Sequence, residues 1–301
     1  MKQQGLSGQQ GLGLLLVFLS ALTWSFGGAM ARSLETQEPW TIVFWRALFA
    51  SLFLLGFMLV REGPRGTIDR FTAMGLPGAA VGLCFATASI SFVVALSYTT
   101  VANILLIQAG GPLIAALLTW VLFRERPALA TMLAIVAVVS GIAVMVSGSL
   151  SAGLSPVGDA LAVLICVVFA AATVITRRFA HVAMLPACCL GTLIATALAA
   201  LLTPGFAVST ADLVWLIAFG AFNLGLGMVF FVTGARLIPA TIAALIGTAE
   251  PVLGPIWVWL AHDETPTSRT FVGGAIVLGA LLAHIAWQAS AARRAPSSAQ
   301  A

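Results

Sequence analysis

Apolar residues fall in long uninterrupted blocks along this chain, with short polar breaks between them. Each block is close to the ~20 residues that a helix needs to cross a ~30 Å hydrocarbon core. Ten spans are predicted: Leu12 to Ala31, Pro39 to Leu59, Gly75 to Leu96, Val101 to Phe123, Ala128 to Ser147, Val157 to Ile175, Met184 to Leu202, Ala211 to Val232, Pro239 to Leu260 and Phe271 to Gln288. The breaks leave no room for a water-soluble catalytic domain on either side of a bilayer. Only the tails, with Ser297, Ser298 and Gln300 in the last, read as disordered.

Composition agrees with the pattern. Hydrophobic residues make up 60% of the chain and charged residues 8%, against roughly 25% charged in soluble domains, and the mean hydropathy is +1.08. The fold class is therefore all-α integral membrane, with the lipid bilayer as a partner. Lys and Arg concentrate on the cytoplasmic side of such proteins. With the N-terminus inside, 11 basic residues fall on cytoplasmic segments and only Arg32 and Arg269 outside, which places both termini in the cytoplasm. The net charge of +4 is thus an orientation signal, and without a basic patch on a folded domain no nucleic-acid partner is expected. Lys2, the apolar run after it and the small residues Ala29 and Ala31 imitate a signal peptide. The length of the run and the repeat described next favour an uncleaved first helix.

The two halves of the chain are related. "PLIAALLTWVLFRERP" (Pro112 to Pro127) matches "PVLGPIWVWLAHDETP" (Pro251 to Pro266) at a displacement of 139 residues. The same displacement pairs Phe92 with Phe231, Leu106 with Leu245, Trp120 with Trp259 and Glu125 with Glu264. Shared Pro, Trp and Glu at fixed spacing mark a duplication, giving one unit over 12–147 and a second over 157–288, joined by the Gly- and Ser-rich stretch Ser147 to Gly158. Each unit holds five spans, and an odd number of crossings makes the second copy enter from the other side. Ten transmembrane helices thus form two inverted five-helix repeats, an arrangement that places a binding site near the midplane between copies.

Several segments resemble the drug/metabolite transporter superfamily, specifically its EamA type of bacterial ten-helix exporters, which includes amino-acid exporters. They are "ALTWSFGGAMAR" in the first span, "FWRALFA" in the second, "ALSYTTVANILLIQAGGPLIAALLTWVLFRERP" across the third and fourth, and "GARLIPATIAALIGTAEPVLGPIWVWLAHDETP" across the eighth and ninth. The resemblance runs from Leu12 to about Gln288. It implies a secondary transporter in the bacterial inner (plasma) membrane that exports small polar metabolites, amino acids or related compounds, by alternating access, through a cavity formed by spans one to four and six to nine.

Ionisable groups at membrane depth are costly and face a partner or a watery cavity. Arg46 and Glu250 are the two such residues here, at depths of ~10 Å and ~15 Å from the same surface by helical rise. Arg46 is a candidate for a substrate carboxylate or for an ion pair with Glu250, and Glu250 is a candidate for proton exchange. Ser91 and Tyr98, with Thr87, share a helical face at spacings of four and seven. Asn103 and Gln108 in the fourth span and Asn223 in the eighth complete the polar candidates, each equally able to serve as interhelical glue. Trp24 lies too deep for the interfacial aromatic belt and either packs in the core or lines a cavity. Pro112 and Pro251 are expected to kink their spans at corresponding places and to act as gating points. Ala275, Gly279 and Ala283 form a small-residue face suited to close packing within one copy or to a homodimer.

The four cysteines lie inside spans without metal or redox spacing, the histidines are scattered, and no phosphate-binding loop of the Gly-x-x-x-x-Gly-Lys type occurs. No cofactor or metal is expected. An intramembrane enzyme would need a paired catalytic set at depth, which the sequence lacks, and a passive scaffold or sensor would gain nothing from an inverted repeat.

Overall fold

A bilayer core has no water to pair with backbone polar groups, and a helix pairs them within the segment. The computed structural model describes residues 2–124, 127–151, 156–179 and 183–294, and the regular structure in them is helical, with no strand among the described residues. Among the described residues nine helices are long and apolar enough to cross a membrane, and the bent pair Val101–Gln108 and Gly111–Phe123 supplies a tenth crossing. The others are Gln9–Arg32, Pro39–Ala73, Gly75–Ala95, Leu129–Ser147, Pro156–Arg178, Met184–Leu202, Thr210–Gly234, Ile242–His262 and Ser268–Gln288. They are called here the first to tenth spans in chain order.

The spans pack as the duplication requires. The first lies against the eighth and ninth, and the sixth lies against the third and fourth. The second packs on the seventh and eighth, and the seventh on the second and third. Exchanging each of these spans with the one five places along reproduces these pairings. The fifth and tenth close the assembly by packing on one another. They come close at Gly141 and Gly273, where a Cβ added at Gly141 or at Gly273 would lie 2.7 Å or 2.5 Å from the other's carbonyl oxygen.

Local geometry repeats at the displacement of 139 residues. Turns follow helices that end at Ala95 and Gly234, and new helices begin after Thr100 and Pro239. Both of these break at equivalent residues, Ala109 and Thr248. Both spans then end on a left-handed residue, Arg124 at φ 56° and Asp263 at φ 54°, whose N–H donates to the carbonyls of Trp120 and Trp259 respectively. Glu125, the sequence partner of Glu264, lies outside the described residues, as does part of the linker between the two units.

Three features depart from ten straight spans. The second span runs on to Gly63, which takes a positive φ of 71° that a side chain would strain, and Pro64 opens a short helical segment, 64–73, along the face that carries the N-terminus. The fourth span bends by 44° at its break. The eighth contains a π-helical stretch, Ala218–Leu226, whereas its equivalent in the third span is regular α-helix. Such stretches insert an extra residue into a helix and occur often at functional sites.

The small-residue face of the tenth span does not make the contact with the fifth. Ala275, Gly279 and Ala283 are exposed, and a Cβ added at Gly279 would meet nothing within 4 Å.

Candidate functional site

The second span presents Arg46 to the seam between the repeats. Its side chain is 6% exposed. Nη1 donates to Ser89 Oγ of the third span at 2.9 Å. The planar guanidinium lies 4.3 Å from the ring centroid of Phe219 and 5.5 Å from that of Phe92. Aromatic faces attract cations by about 0.5–2 kcal/mol when desolvated, so the two rings offset part of the cost of burying this charge. They do not neutralise it, and Nε is buried with no hydrogen-bond acceptor.

The helices around Arg46 come together through small residues. Gly220, in the π-helical stretch, packs directly on the Arg46 carbonyl oxygen and leaves no room for a Cβ. One residue earlier, Phe219 is fully buried and reaches over the guanidinium. On the third span Phe85, Ser89 and Phe92 follow one another at spacings of four and three, so they share a helix face.

A cavity of about 20 Å³ adjoins this cluster, large enough for about one water molecule. It is lined by Leu54, Phe85, Ser89, Cys188, Thr192, Leu224 and Met228. These residues come from the second, third, seventh and eighth spans, two from each half of the chain, and the cavity therefore sits between the repeats. Ser89 belongs to both the cavity wall and the Arg46 hydrogen bond. A ligand with a planar acceptor pair could take the free guanidinium donors in a fork.

The other residues singled out in the sequence lie in different places. Glu250 is half-buried in the first turn of Ala249–His262, where the helix N-terminus favours negative charge. That helix packs on the first span and on Val101–Gln108. Glu250 does not pair with Arg46; ion pairs among the described residues join Arg32 with Glu264 and Arg70 with Glu62. Ser91 is buried two positions past Ser89, on another side of the third span. Tyr98 is 43% exposed at the membrane face opposite the N-terminus.

Asn103 is buried in the first turn of the fourth span, bonded to Thr99 Oγ1 at 3.2 Å and to Asp159 Oδ1 of the sixth. Gln108 is the last residue before the break in the fourth span. Asn223, in the π-helical stretch, donates from Nδ2 to the carbonyl of Thr23 at 2.6 Å and that of Trp24 at 3.3 Å. It binds the eighth span to the first just before the first span's own break at Phe26. The Trp24 ring lies 5.4 Å from that of Phe231, tilted by 43°, with its indole against Gly227, and its Nε1 is buried without an acceptor. Pro112 and Pro251 both fall in the first turn of the second half of a broken span. The missing N–H costs little there, since first-turn donors lack a helical partner.

A separate set of side chains ties the face opposite the N-terminus. Arg32 Nε donates to Glu264 Oε2 at 2.8 Å, while Nη1 and Nη2 donate to the carbonyls of Leu96 and Thr99 at 2.9 and 3.1 Å. Glu264 Oε1 accepts from Val101 N at 2.7 Å. Asp212, at the start of the eighth span, accepts from the backbone of Glu35 and Thr36 and from Thr36 Oγ1. His262 Nε2 stands 3.3 Å from Ser33 Oγ and 3.1 Å from the Ala29 carbonyl oxygen. The ends of the first, fourth, eighth and ninth spans are thereby joined.

Known proteins share this architecture. A solved crystal structure of a protein matches over 93% of this chain and 99% of its own length, at 20% sequence identity and a TM-score of 0.65, which is a likeness of fold. No curated protein matches. The EamA-like transporter family matches twice, over residues 11–147 and 156–285, once for each half of the molecule. With both halves matched and the paired five-span packing in place, the chain belongs to the EamA-like transporter family, and it is a multi-pass membrane transporter.

Proposed function

We propose that this transporter exports small polar metabolites, amino acids or related compounds, from the cytoplasm by alternating access, in a bacterial inner membrane with both termini cytoplasmic. The observation that carries the reading is Arg46: a buried cation with unused donors, at the seam between the repeats, next to a cavity lined by spans of both halves. Charged side chains are retained at such depth where they act on a transported species or on the path it takes. The inverted repeat supplies the rest, because two halves of opposite orientation can rock about a shared site and expose it to each side in turn. The basic residues of the connecting segments give the orientation.

The reading is tested by efflux from proteoliposomes loaded with a panel of amino acids, organic acids and polyamines. The intact chain is compared with Arg46→Lys and Arg46→Ala, and folded yield is followed by gel filtration. Flux of at least one panel member through the intact chain, with flux lost and yield kept in Arg46→Lys, is the expected result. A folded intact chain that moves no member of the panel would refute export. Equal flux in all three proteins would refute the role of Arg46.

A further inference from the structure

We infer that the transported species occupies the Arg46 site as a net monoanion: a carboxylate with a short apolar tail and no ammonium group. The inference rests on the export reading above and selects, from amino acids and related compounds, the related carboxylates that lack an ammonium group.

The argument begins with what surrounds the guanidinium. The second span packs on the third, seventh and eighth. Gly75–Ala95, Met184–Leu202 and Ala218–Leu226 contain no Asp or Glu. The one acid in the eighth span, Asp212, is occupied by Glu35 and Thr36 at the membrane face. Within the second span itself Glu62 pairs with Arg70 at 3.2 Å, and Asp69 lies in the segment 64–73 beyond the positive-φ residue Gly63. Arg46 therefore has no anionic partner from any of these helices, and its nearest neighbours are a neutral hydroxyl and two aromatic rings. A buried charge with no counter-charge is unfavourable, and a ligand bringing one negative charge removes that penalty. The fork of guanidinium donors matches a carboxylate in shape as well as sign.

The cavity wall settles what else the ligand carries. Its polar atoms are the hydroxyls of Ser89 and Thr192, and the rest is Leu54, Phe85, Leu224 and Met228 with the Cys188 thiol. Thr192 Oγ1 already donates to the Cys189 carbonyl. An ammonium group placed here would meet no carboxylate and would add a second positive charge beside Arg46. A zwitterion leaves the site at net +1; a monocarboxylate with an aliphatic tail leaves it neutral and sets apolar surface against apolar surface. At about 20 Å³ the cavity is closed down, so the helices must separate to admit such a molecule.

The test uses the intact chain in proteoliposomes and two probes with the same tail, leucine and its 2-oxo analogue 4-methyl-2-oxopentanoate, which differ in the ammonium group. The oxo acid is expected to enter faster by about tenfold or more, because the ammonium group of leucine would be desolvated there without a partner and every ~1.4 kcal/mol of that cost is tenfold. It is also expected to raise the melting temperature of the purified protein while leucine does not. Ser89→Asp supplies the missing negative charge from within, and is expected to keep the protein folded, with no loss of melting temperature, while abolishing oxo-acid uptake. Leucine moving as fast as the oxo acid, or oxo-acid uptake surviving Ser89→Asp, overturns the inference. Transport confined to zwitterions or cations overturns it while leaving export intact, and a folded chain that moves nothing overturns both.

Discussion

Arg32 and Glu264 are 232 residues apart and belong to different repeats, yet their side chains meet at 2.8 Å. The arginine ends the first span and the glutamate follows the ninth, and between them they engage both carbonyls and an amide of the turn joining the third and fourth spans. With side chains 30% and 19% exposed, the ion pair alone is worth no more than about 1 kcal/mol. Its importance is positional, since it gathers four spans at one membrane face.

That relationship gives the first prediction. Glu264→Gln keeps the shape and removes the charge, so it weakens the bonds to Arg32 and Val101 and loosens the closure. A Thr99→Cys reporter, whose parent side chain is 5% exposed, should then react faster with a membrane-impermeant maleimide than the same reporter with Glu264 in place. Unchanged labelling would mean that the pair does not hold this face shut.

Asn223 is expected to behave as a structural clasp. Asn223→Leu preserves volume but removes both donors to the Thr23 and Trp24 carbonyls. Interhelical hydrogen bonds in membranes average roughly 0.6 kcal/mol each, so the loss should be about 1 kcal/mol, seen as a lower melting temperature in detergent. A melting temperature equal to that of the parent chain would count against the clasp.

Two glycines should respond oppositely to alanine. At Gly220 the new methyl would strike the Arg46 carbonyl oxygen and lie 2.8 Å from Phe49 Cβ, forcing the second and eighth spans apart and reducing folded yield. At Gly279 it meets nothing within 4 Å, and the gain in helix propensity is up to about 1 kcal/mol. Similar yields for the two variants would contradict the packing described for the seam.

Phe219 and Arg46 should be energetically coupled. In a double-mutant cycle with Phe219→Leu and Arg46→Gln, unfolding measurements are expected to give an interaction of about 0.5–2 kcal/mol beyond the sum of the single changes. Strict additivity would show that the ring merely fills space beside the cation.

The sequence made the spans and the duplication legible for physical reasons. Membrane thickness fixes helix length, and Pro, Trp and Glu at a constant displacement are hard to mimic with Ala and Leu. The equivalent breaks at Ala109 and Thr248, and the left-handed ends at Arg124 and Asp263, follow from that same register. Which side of a helix faces its neighbour was not legible. On the third span Thr87, Ser89 and Ser91 alternate, so a polar stripe can be drawn through Thr87 and Ser91 or through Ser89, and the residue that bonds Arg46 is Ser89. Arg46 and Glu250 have similar depths, but depth carries no information about direction around the helix, and they do not pair. Phe92 and Phe219 gave no warning, because an aromatic residue in an apolar span is indistinguishable from packing until the cation beside it is located. Arg32 stood out only as an exception to the distribution of basic residues. Its partner was visible as the repeat-related mate of Glu125, with nothing to say that the two would meet.

The π-helical turn in the eighth span has no twin in the third. Were the halves identical copies about a two-fold axis, the packing of the eighth span on the second would repeat unchanged in that of the third on the seventh. If the transporter works by the alternating access proposed above, this unmatched turn makes the two states, tipped toward one compartment and toward the other, unequal in energy, so that one of them is the resting state.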